Sequence, residues 1–468
     1  MSSKKSGPVP GTGAGHKKNP TAPPPTDNSG PIPTGGAQFA EPAPTQDPAK
    51  FVVKHGSDAA AYKILDSEKS TLKPRPFPVV AQAEPTLSLA DAIGQRGPDV
   101  LSAIQRAGQI VFHALGDSGN TTGPKDEELV ADKMVSDFTE TDPKAVPSFC
   151  LHLGDVIYSF GEAQYYYDQY YDPYRNYPAP IFAVPGNHDG MVAPNTSTPT
   201  LAAFLENFCT AGQPFHKTPE SGGLSRTAGI QPGVYFTLEA PFVRILGLYS
   251  NCLEDPGVIS TQGGTYPYLT DAQLAFLQAA LTRVKAEQFL GAVVIAVHHP
   301  PYVAQAQAAA GSAGKHGGSP LMLKDIDVVC AATGVWPHAV LSGHAHNYQR
   351  FTRIQDSRQT PFLVVGNGGH GLSQLTHKGS LAIRVPVDQP GLSQGKDKVT
   401  FEDYDDQDFG YLRILADSKQ LRIEYHPQSD GEAAKTPDDA VTVDLATHQL
   451  IHYQAPSLSA RERSALRD

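Results

Sequence analysis

The sequence has few cysteines, no long apolar run and no excess of positive charge. Its four cysteines, Cys150, Cys209, Cys252 and Cys330, stand far apart and form no CxxC pair. This spacing argues against a disulfide scaffold and a zinc finger and favours reduced thiols, although a bond between Cys209 and Cys252 stays open. The longest apolar run, residues 289–297, is too short to span a bilayer.

The charge balance narrows the class of partner. The chain has 37 basic and 48 acidic side chains in 468 residues, for a net charge of −11. An acidic protein is poorly suited to coat nucleic acid or an anionic membrane, so we expect neither partner. Lys4 and Lys5 are followed by no apolar stretch, so we expect no secretory signal and a cytoplasmic location. Export by a route that needs no signal stays open.

Proline and glycine divide the chain unevenly. Residues 1–50 are rich in both and poor in large apolar side chains, so we predict a disordered tail. Its prolines leave open a partner that binds polyproline segments. We predict a helical extension over residues 51–107, a main domain over residues 108–428, and a C-terminal extension and tail over residues 429–468.

Short β-branched runs dominate the main domain. Each ends in a glycine-rich or polar corner, and they lie near residues 109–117, 148–155, 180–189, 243–250, 291–299, 338–346 and 361–369. Helical patterns over residues 269–287 and 321–332 separate some of these runs, which predicts an α/β sheet domain. Residues 409–426 alternate in polarity and predict a closing hairpin. In α/β sheets functional groups collect beyond the carboxyl ends of the strands.

Five of these corners carry side chains that ligate metals. They hold two carboxylates, one amide, three imidazoles and one phenol, at Asp117, Asp155, Tyr158, Asn187, His298, His344 and His346. Each corner by itself has a structural alternative, a turn carboxylate or a buried histidine. Together the ligands exceed what one ion needs and fit two ions that share a bridging carboxylate.

The order of the corners resembles the calcineurin-like metallophosphoesterase superfamily and, within it, the purple acid phosphatases. The blocks of that family are DxG, GDxxY, GNH(D/E), VxxH and GHxH. Here they are DSG at 117–119, GDVIY at 154–158, GNHD at 186–189, an apolar run into His298, and GHAH at 343–346. The resemblance covers about residues 108–428. It implies an α/β fold, a four-layer α-β-β-α sandwich of two mixed sheets.

The resemblance also implies which residues hold the metals. The first metal would take Asp117, Tyr158, His346 and the bridging Asp155. The second would take Asn187, His298, His344 and the same Asp155. The family implies Fe(III) in the first position and Fe(II), Zn(II) or Mn(II) in the second.

The first position departs from many relatives of the superfamily. They have a histidine ligand where this chain has Gly119, and this chain has Tyr158 as well. A phenol has an ordinary pKa of about 10, so it ligates well only beside a strong Lewis acid. A tyrosine packed after a strand is the alternative for Tyr158.

The remaining site residues follow from the same resemblance. His188 would protonate the leaving-group oxygen, and Asp189 would orient His188 or serve only as a turn carboxylate. Asn187 and His188 would contact the substrate. His316 is a candidate phosphate contact, with a solvated loop histidine as the alternative. We interpret His299 as structural or as a residue that supports a metal ligand, and assign no role to His370.

Tyrosines crowd residues 165–177, where helical spacing predicts a packed face. Rings that line the mouth of the site and stack on an aromatic leaving group are the alternative.

The implied function is hydrolysis of small phosphate monoesters by attack of a metal-bound hydroxide. Two alternatives stay open. One is a phosphodiesterase on the same scaffold, and the other is a non-catalytic metal-binding protein that presents its proline-rich tail to a partner.

Overall fold

The computed structural model describes residue 74 and residues 77–452, apart from residues 122, 143, 193–197, 210–227, 305–315 and 376–380. The predicted disordered tail, residues 1–50, lies outside the described residues. So does the region from 305 to 315 that precedes His316.

Two mixed sheets form the centre of the molecule, which confirms the predicted fold class. The larger sheet has nine strands in the order β1-β5-β6-β7-β8-β10-β9-β12-β11. Its strands are β1 (Thr86–Ser88), β5 (Phe236–Ala240), β6 (Val243–Leu248), β7 (Ala292–Val297), β8 (Ala339–Ser342), β9 (Tyr348–Gln355), β10 (Arg358–Val365), β11 (Val387–Asp388) and β12 (Lys398–Asp405). Strands β6, β7, β8 and β10 are mutually parallel, and every residue of β7 is buried. A strand covered on both faces needs apolar residues throughout, which explains the unbroken run AVVIAV.

The second sheet has seven strands in the order β16-β15-β14-β13-β2-β3-β4. They are β2 (Ile110–Leu115), β3 (Cys150–His152), β4 (Ile181–Ala183), β13 (Gly410–Ala416), β14 (Gln420–Pro427), β15 (Asp439–Asp444) and β16 (Gln449–Leu450). Strands β2, β3 and β4 are parallel. The predicted hairpin is present, since β13 pairs antiparallel with β14.

Seven α-helices lie among the described residues: α1 (Leu89–Ile93), α2 (Gly97–Ala107), α3 (Lys125–Ser136), α4 (Asn187–Gly190), α5 (Ala202–Phe204), α6 (Ala272–Ala286) and α7 (Pro320–Thr333). Local signals fix both ends of α7. In α7 the Ser319 side chain accepts from the backbone of Met322, Pro320 occupies the first turn, and Gly334 ends the helix in a left-handed conformation.

One of the two large apolar clusters lies between the two sheets. It combines Phe112, Leu151 and Phe182 of the seven-stranded sheet with Ile245 and Val294 of the nine-stranded sheet. A second cluster joins the other sheet faces to helices, for example Val293 and Ile295 of β7 with Phe276 of α6. This packing fixes the position of the two sheets relative to each other. The carboxyl ends of the parallel strands of both sheets can therefore contribute to one site.

The seven-stranded sheet continues past residue 428, where we placed the end of the main domain. Strand β15 pairs with residues 420–425 of β14, and its Val443 is fully buried in the core between the sheets. The domain division itself stays a prediction. Within the part of the chain that the structure describes, no helix combines the length and the apolar character needed to cross a membrane.

Candidate metal centre

The site lies where parallel strands of both sheets end. Asp117, Asp155 and Asn187 follow β2, β3 and β4, and His298 and His344 follow β7 and β8. Because both sets of strands present their carboxyl ends together, residues that are up to 229 positions apart come into contact.

The first ligand cluster contains Asp117, Tyr158 and His346. The Tyr158 hydroxyl lies 3.0 Å from Asp117 Oδ1 and 3.3 Å from His346 Nε2, and the last two atoms are 3.5 Å apart. Tyr158 and Asp117 are buried, whereas the His346 side chain is 13% exposed. The three side chains that the resemblance assigned to the first metal therefore converge on one point.

The second cluster contains Asn187, His298 and His344. Asn187 Oδ1 lies 2.9 Å from His298 Nε2 and 3.1 Å from His344 Nδ1. One ligand atom each from Asp155, His298 and His344 lies within 4.8 Å of the others, and all three residues are buried. This is the ligand set that the resemblance assigned to the second metal.

Asp155 connects the two clusters. Its Oδ2 lies 3.2 Å from His298 Nε2, and its Oδ1 accepts a hydrogen bond from the His188 backbone at 2.8 Å. On its other side it lies close enough to Tyr158 to affect that phenol. Burial, Asp117 and Asp155 together raise the pKa of Tyr158 well above its ordinary value. The carboxylate thus lies between the two clusters.

The hydrogen-bond pattern shows that the ligands suit cations. His298 Nδ1 lies 2.8 Å from the Leu153 carbonyl, to which it must donate, so in the neutral ring Nε2 is a lone-pair acceptor. That acceptor faces two further acceptors, Asn187 Oδ1 and Asp155 Oδ2. Buried acceptors that face one another repel unless a positive charge lies between them.

Three buried polar atoms here have no hydrogen-bond partner among the described residues: Asp155 Oδ2, Asn187 Nδ2 and His344 Nε2. Burial alone would lower the pKa of His298, but Asp155 and Asp117 raise it to about 9. Without a cation, a proton would therefore supply the positive charge that the carboxylates attract. The residues fit a pair of metal ions.

The corners hold strained backbone. Asp117, Asp155 and His344 have φ values of 57°, 53° and 70°, a region that residues other than glycine seldom adopt. Such strain persists where the surrounding structure fixes it, and it concentrates at functional sites. Gly154 has φ 96°, and a Cβ on it would lie 2.7 Å from His298 Nδ1, so this corner requires glycine.

His188 lies beside both clusters. Its Nδ1 is 2.8 Å from the Ser159 carbonyl, its Nε2 is 4.0 Å from Asp155 Oδ2, and its ring is 4.4 Å from the Tyr158 ring. The Ser159 carbonyl fixes Nδ1 as the donor, so Nε2 is the nitrogen on the side of Asp155.

Asp189 contacts backbone amides. It accepts from the amides of Gly186 at 2.8 Å, Val156 at 3.1 Å and Ile157 at 3.3 Å. These bonds tie the GNHD turn to the GDVIY turn. The geometry matches the turn carboxylate that we kept as the alternative for Asp189, and the carbonyl of Ser159 supplies the contact that orients His188.

His316 reaches the site from outside the clusters. Its ring centroid is 4.7 Å from that of His344 and 4.9 Å from that of His346. Ligand atoms of Glu254, His316 and His344 form a second group within 4.8 Å of one another. His316 therefore lies next to two of the candidate ligands, His344 and His346.

Sequence reasoning did not single out Ser159, whose carbonyl contacts His188 Nδ1, or Glu254, which lies in the group with His316 and His344. Neither residue belongs to a quoted motif. His299, by contrast, is structural as expected, because its two ring nitrogens bond Ser250 Oγ and the Leu253 carbonyl.

The tyrosine-rich segment packs inward. Tyr166, Tyr170 and Tyr174 are at most 1% exposed and belong to the apolar core. The alternative in which these rings line the mouth of the site is wrong, because their faces contact one another and Phe208. The local helix is short and partly of the π type, over Tyr167–Tyr171.

Comparison with solved structures gives matches at low identity. A purple acid phosphatase from seeds of yellow lupin (Lupinus luteus) is 17% identical with a TM-score of 0.46, over 72% of this chain and 54% of that one. The anchor in the inner membrane complex of Plasmodium is 14% identical with a TM-score of 0.46, over 77% and 93%. PhoD is 13% identical with a TM-score of 0.42, over 74% and 72%. The chain spans about half the length of the lupin phosphatase.

No curated protein matches the chain significantly in sequence. The family model for calcineurin-like phosphoesterases, however, matches residues 131–348. That range includes every ligand described above except Asp117. The chain therefore contains a calcineurin-like phosphoesterase domain, as its motifs indicated.

Proposed function

We propose that this protein is a two-metal phosphoesterase that hydrolyses small phosphate monoesters, in the manner of purple acid phosphatases. The observation that carries the proposal is the pair of ligand clusters that share Asp155, with His188 beside them. A structural role alone would not explain buried acceptors turned toward one another.

The chain offers ligands for two ions. Asp117, Tyr158 and His346 would hold the first, Asn187, His298 and His344 the second, and Asp155 both. The phenol favours Fe(III) in the first position, and the mixed nitrogen and oxygen donors of the second suit Fe(II), Zn(II) or Mn(II). When bound, such a pair supplies Lewis acidity that activates water and neutralises charge on the phosphate oxygens.

The remaining residues bind the ester and move a proton. His188 carries a proton on Nε2 and gives it to the leaving-group oxygen, while its Nδ1–H stays on the Ser159 carbonyl. The amide of Asn187 and the ring of His316 border the same space and hold the phosphate group. Asp189 keeps the two turns together so that His188 stays aligned.

The first test compares two matched aryl substrates, a phosphate monoester and a diester, on protein loaded with iron plus a divalent metal. We expect kcat/KM to favour the monoester strongly. An Asp155→Ala protein, which lacks the shared carboxylate, serves as the background control.

The other outcomes identify the alternatives. A ratio that favours the diester would keep the metal centre but make the protein a phosphodiesterase. Equal rates for the loaded protein and for Asp155→Ala would mean a non-catalytic metal-binding protein, and would turn attention to the proline-rich segment as a site for a partner.

A further inference from the structure

His370 lies in the corner that follows β10 and is bound on two sides to the DSG turn. Its backbone N–H donates to the Asp117 carbonyl at 2.9 Å. Its Nδ1 lies 2.8 Å from the Gly119 carbonyl and donates to it. The ring is therefore fixed in position and rotation by a segment 251 residues away in the sequence.

The fixed ring covers one face of Tyr158. The two ring centroids are 3.5 Å apart and the planes differ by 11°, the arrangement of stacked rings. The Tyr158 ring also contacts His188, with ring centroids 4.4 Å apart and a tilt of 40° between the planes. Tyr158 thus contacts two imidazoles, each of which is anchored by a backbone carbonyl.

The backbone of Tyr158 is fixed separately. The Gln169 side chain accepts from the Tyr158 amide at 2.9 Å and donates to its carbonyl at 3.1 Å. With the backbone fixed by Gln169, the direction of the phenol depends only on rotation of the side chain. The ring of His370 stacks on this side chain, and the hydroxyl lies 3.0 Å from Asp117 Oδ1.

Gly119 shows why the imidazole comes from elsewhere in the chain. A Cβ at this position would lie 2.4 Å from the Val156 carbonyl oxygen and 3.0 Å from Ile157 Cα. Both are backbone atoms that cannot move aside cheaply, so no histidine side chain can start there.

We propose that His370 is a positioning residue for Tyr158: its stacked ring holds the phenol in the orientation in which it ligates the first cation. His370 acts through Tyr158, because its Nδ1 is bonded to the Gly119 carbonyl and its ring stacks on the phenol. The inference rests on the proposed two-metal function and adds a residue that none of the family motifs contains.

Two variants separate the ring from its anchor. His370→Gln can still donate to the Gly119 carbonyl but has no aromatic face, whereas His370→Phe keeps the face and loses the donor. Zinc is titrated into metal-free protein by calorimetry, and the ultraviolet difference band of tyrosinate is recorded in parallel. We expect His370→Gln to weaken one of two zinc sites by about 10–100-fold and to reduce the band at subsaturating zinc. His370→Phe should stay close to the wild type.

A double-mutant cycle tests whether the effect passes through Tyr158. Tyr158→Phe should abolish the band, and adding His370→Gln to it should cost no further zinc affinity. The control is His448→Ala, which removes an imidazole stacked on His338 at 4.5 Å and bonded to the Pro337 carbonyl. It should bind zinc as the wild type does.

Each contrary result has a distinct meaning. Wild-type zinc affinity in His370→Gln, or additive losses in the double variant, would overturn the role of His370 and leave the metal centre in place. An equal loss in His370→Phe and His370→Gln would show that the Gly119 bond, and not stacking, is responsible, and would also overturn it. Fewer than two zinc ions bound by the wild type would instead contradict the proposed function.

Discussion

Backbone carbonyls set the tautomers of the histidines at the site. His188, His298 and His370 each direct Nδ1 to a carbonyl, those of Ser159, Leu153 and Gly119 respectively. An imidazole that donates from Nδ1 presents Nε2 to the site. His344 has the opposite arrangement, with Nδ1 toward Asn187. The position of a histidine in a motif does not reveal which nitrogen faces the metal, because the partner carbonyl comes from another segment.

His188→Ala should lower kcat about 10²–10⁴-fold with a smaller change in KM, because the imidazole donates a proton only in the transition state. The loss should be larger for an alkyl phosphate than for an activated aryl phosphate, whose leaving group needs the proton less. The control is His452→Ala, since His452 is exposed. An equal loss of kcat for both substrates would show that His188 does not act as the general acid.

Gly119→Ala should lower the free energy of unfolding by about 1–3 kcal/mol, because its Cβ would overlap the Val156 carbonyl. Gly119→His, which restores the residue common among relatives, should destabilise further and should not restore a ligand. Thermal unfolding measures both. Gly371→Ala is the matched control, since a Cβ there would meet nothing within 4 Å. A stable Gly119→His protein with tighter metal binding would contradict this account.

At the scale of elements, the C-terminal end of α3 is joined to both β2 and β13 by one buried carboxylate. Asp137 accepts from Tyr411 and Lys435, each at 2.7 Å, and lies 3.1 Å from His113 Nε2. Burial would raise the pKa of Asp137, but the hydrogen bonds of His113, Lys435 and Tyr411 outweigh it and hold the pKa well below its ordinary value. The charged carboxylate therefore stabilises the packing of α3 on the sheet.

Asp137→Asn should lower the free energy of unfolding at neutral pH by about 1–3 kcal/mol. A carboxyl whose folded pKa is depressed stabilises the fold above its unfolded pKa, near 3.8, and loses that contribution as the pH falls toward the folded value. The difference in the free energy of unfolding between wild type and variant should therefore become smaller below about pH 4. Urea unfolding at pH 7 and pH 3 measures it, with exposed Asp132→Asn on α3 as the control. A gap of constant size would exclude the charge of Asp137 as the cause.

Strands were easier to predict than the tyrosine-rich segment. The seven apolar runs in the main domain all became strands, because residues buried on both faces leave an unbroken apolar signature. In the segment 165–177 the spacing did indicate a packed face. It did not show that the helix would be short, because that depends on its packing against Phe208 and the rest of the core.

At the scale of the whole molecule, the last strands connect the two sheets. Strand β15 extends the seven-stranded sheet, and its Asp439 accepts from Arg350 of β9 at 2.6 and 2.9 Å and from Tyr348 at 2.6 Å. Residues beyond 428 therefore complete both the core and the contact between the sheets.

A chain shortened to end at residue 428 should be less stable than one that ends at residue 452 by at least about 3 kcal/mol. Two mostly buried valines, Val441 and Val443, would be lost, each worth about 1.5–3 kcal/mol, and Arg350 would lose its partner. Denaturant unfolding of both chains is the measurement. Equal stability would support the domain boundary at 428 that the sequence suggested.

The sequence by itself determined the α/β class, the order of the strands' ligand-bearing corners and the family of the domain. It could do so because each ligand-bearing motif follows an apolar run. The same short stretch of sequence therefore shows both the strand and the ligands at its end. Only the tertiary structure decided that Asp189 binds backbone amides, that Gly119 admits no side chain and that His370 covers Tyr158. These facts depend on contacts between segments far apart, such as the 227 residues between Asp117 and His344, which no local pattern records.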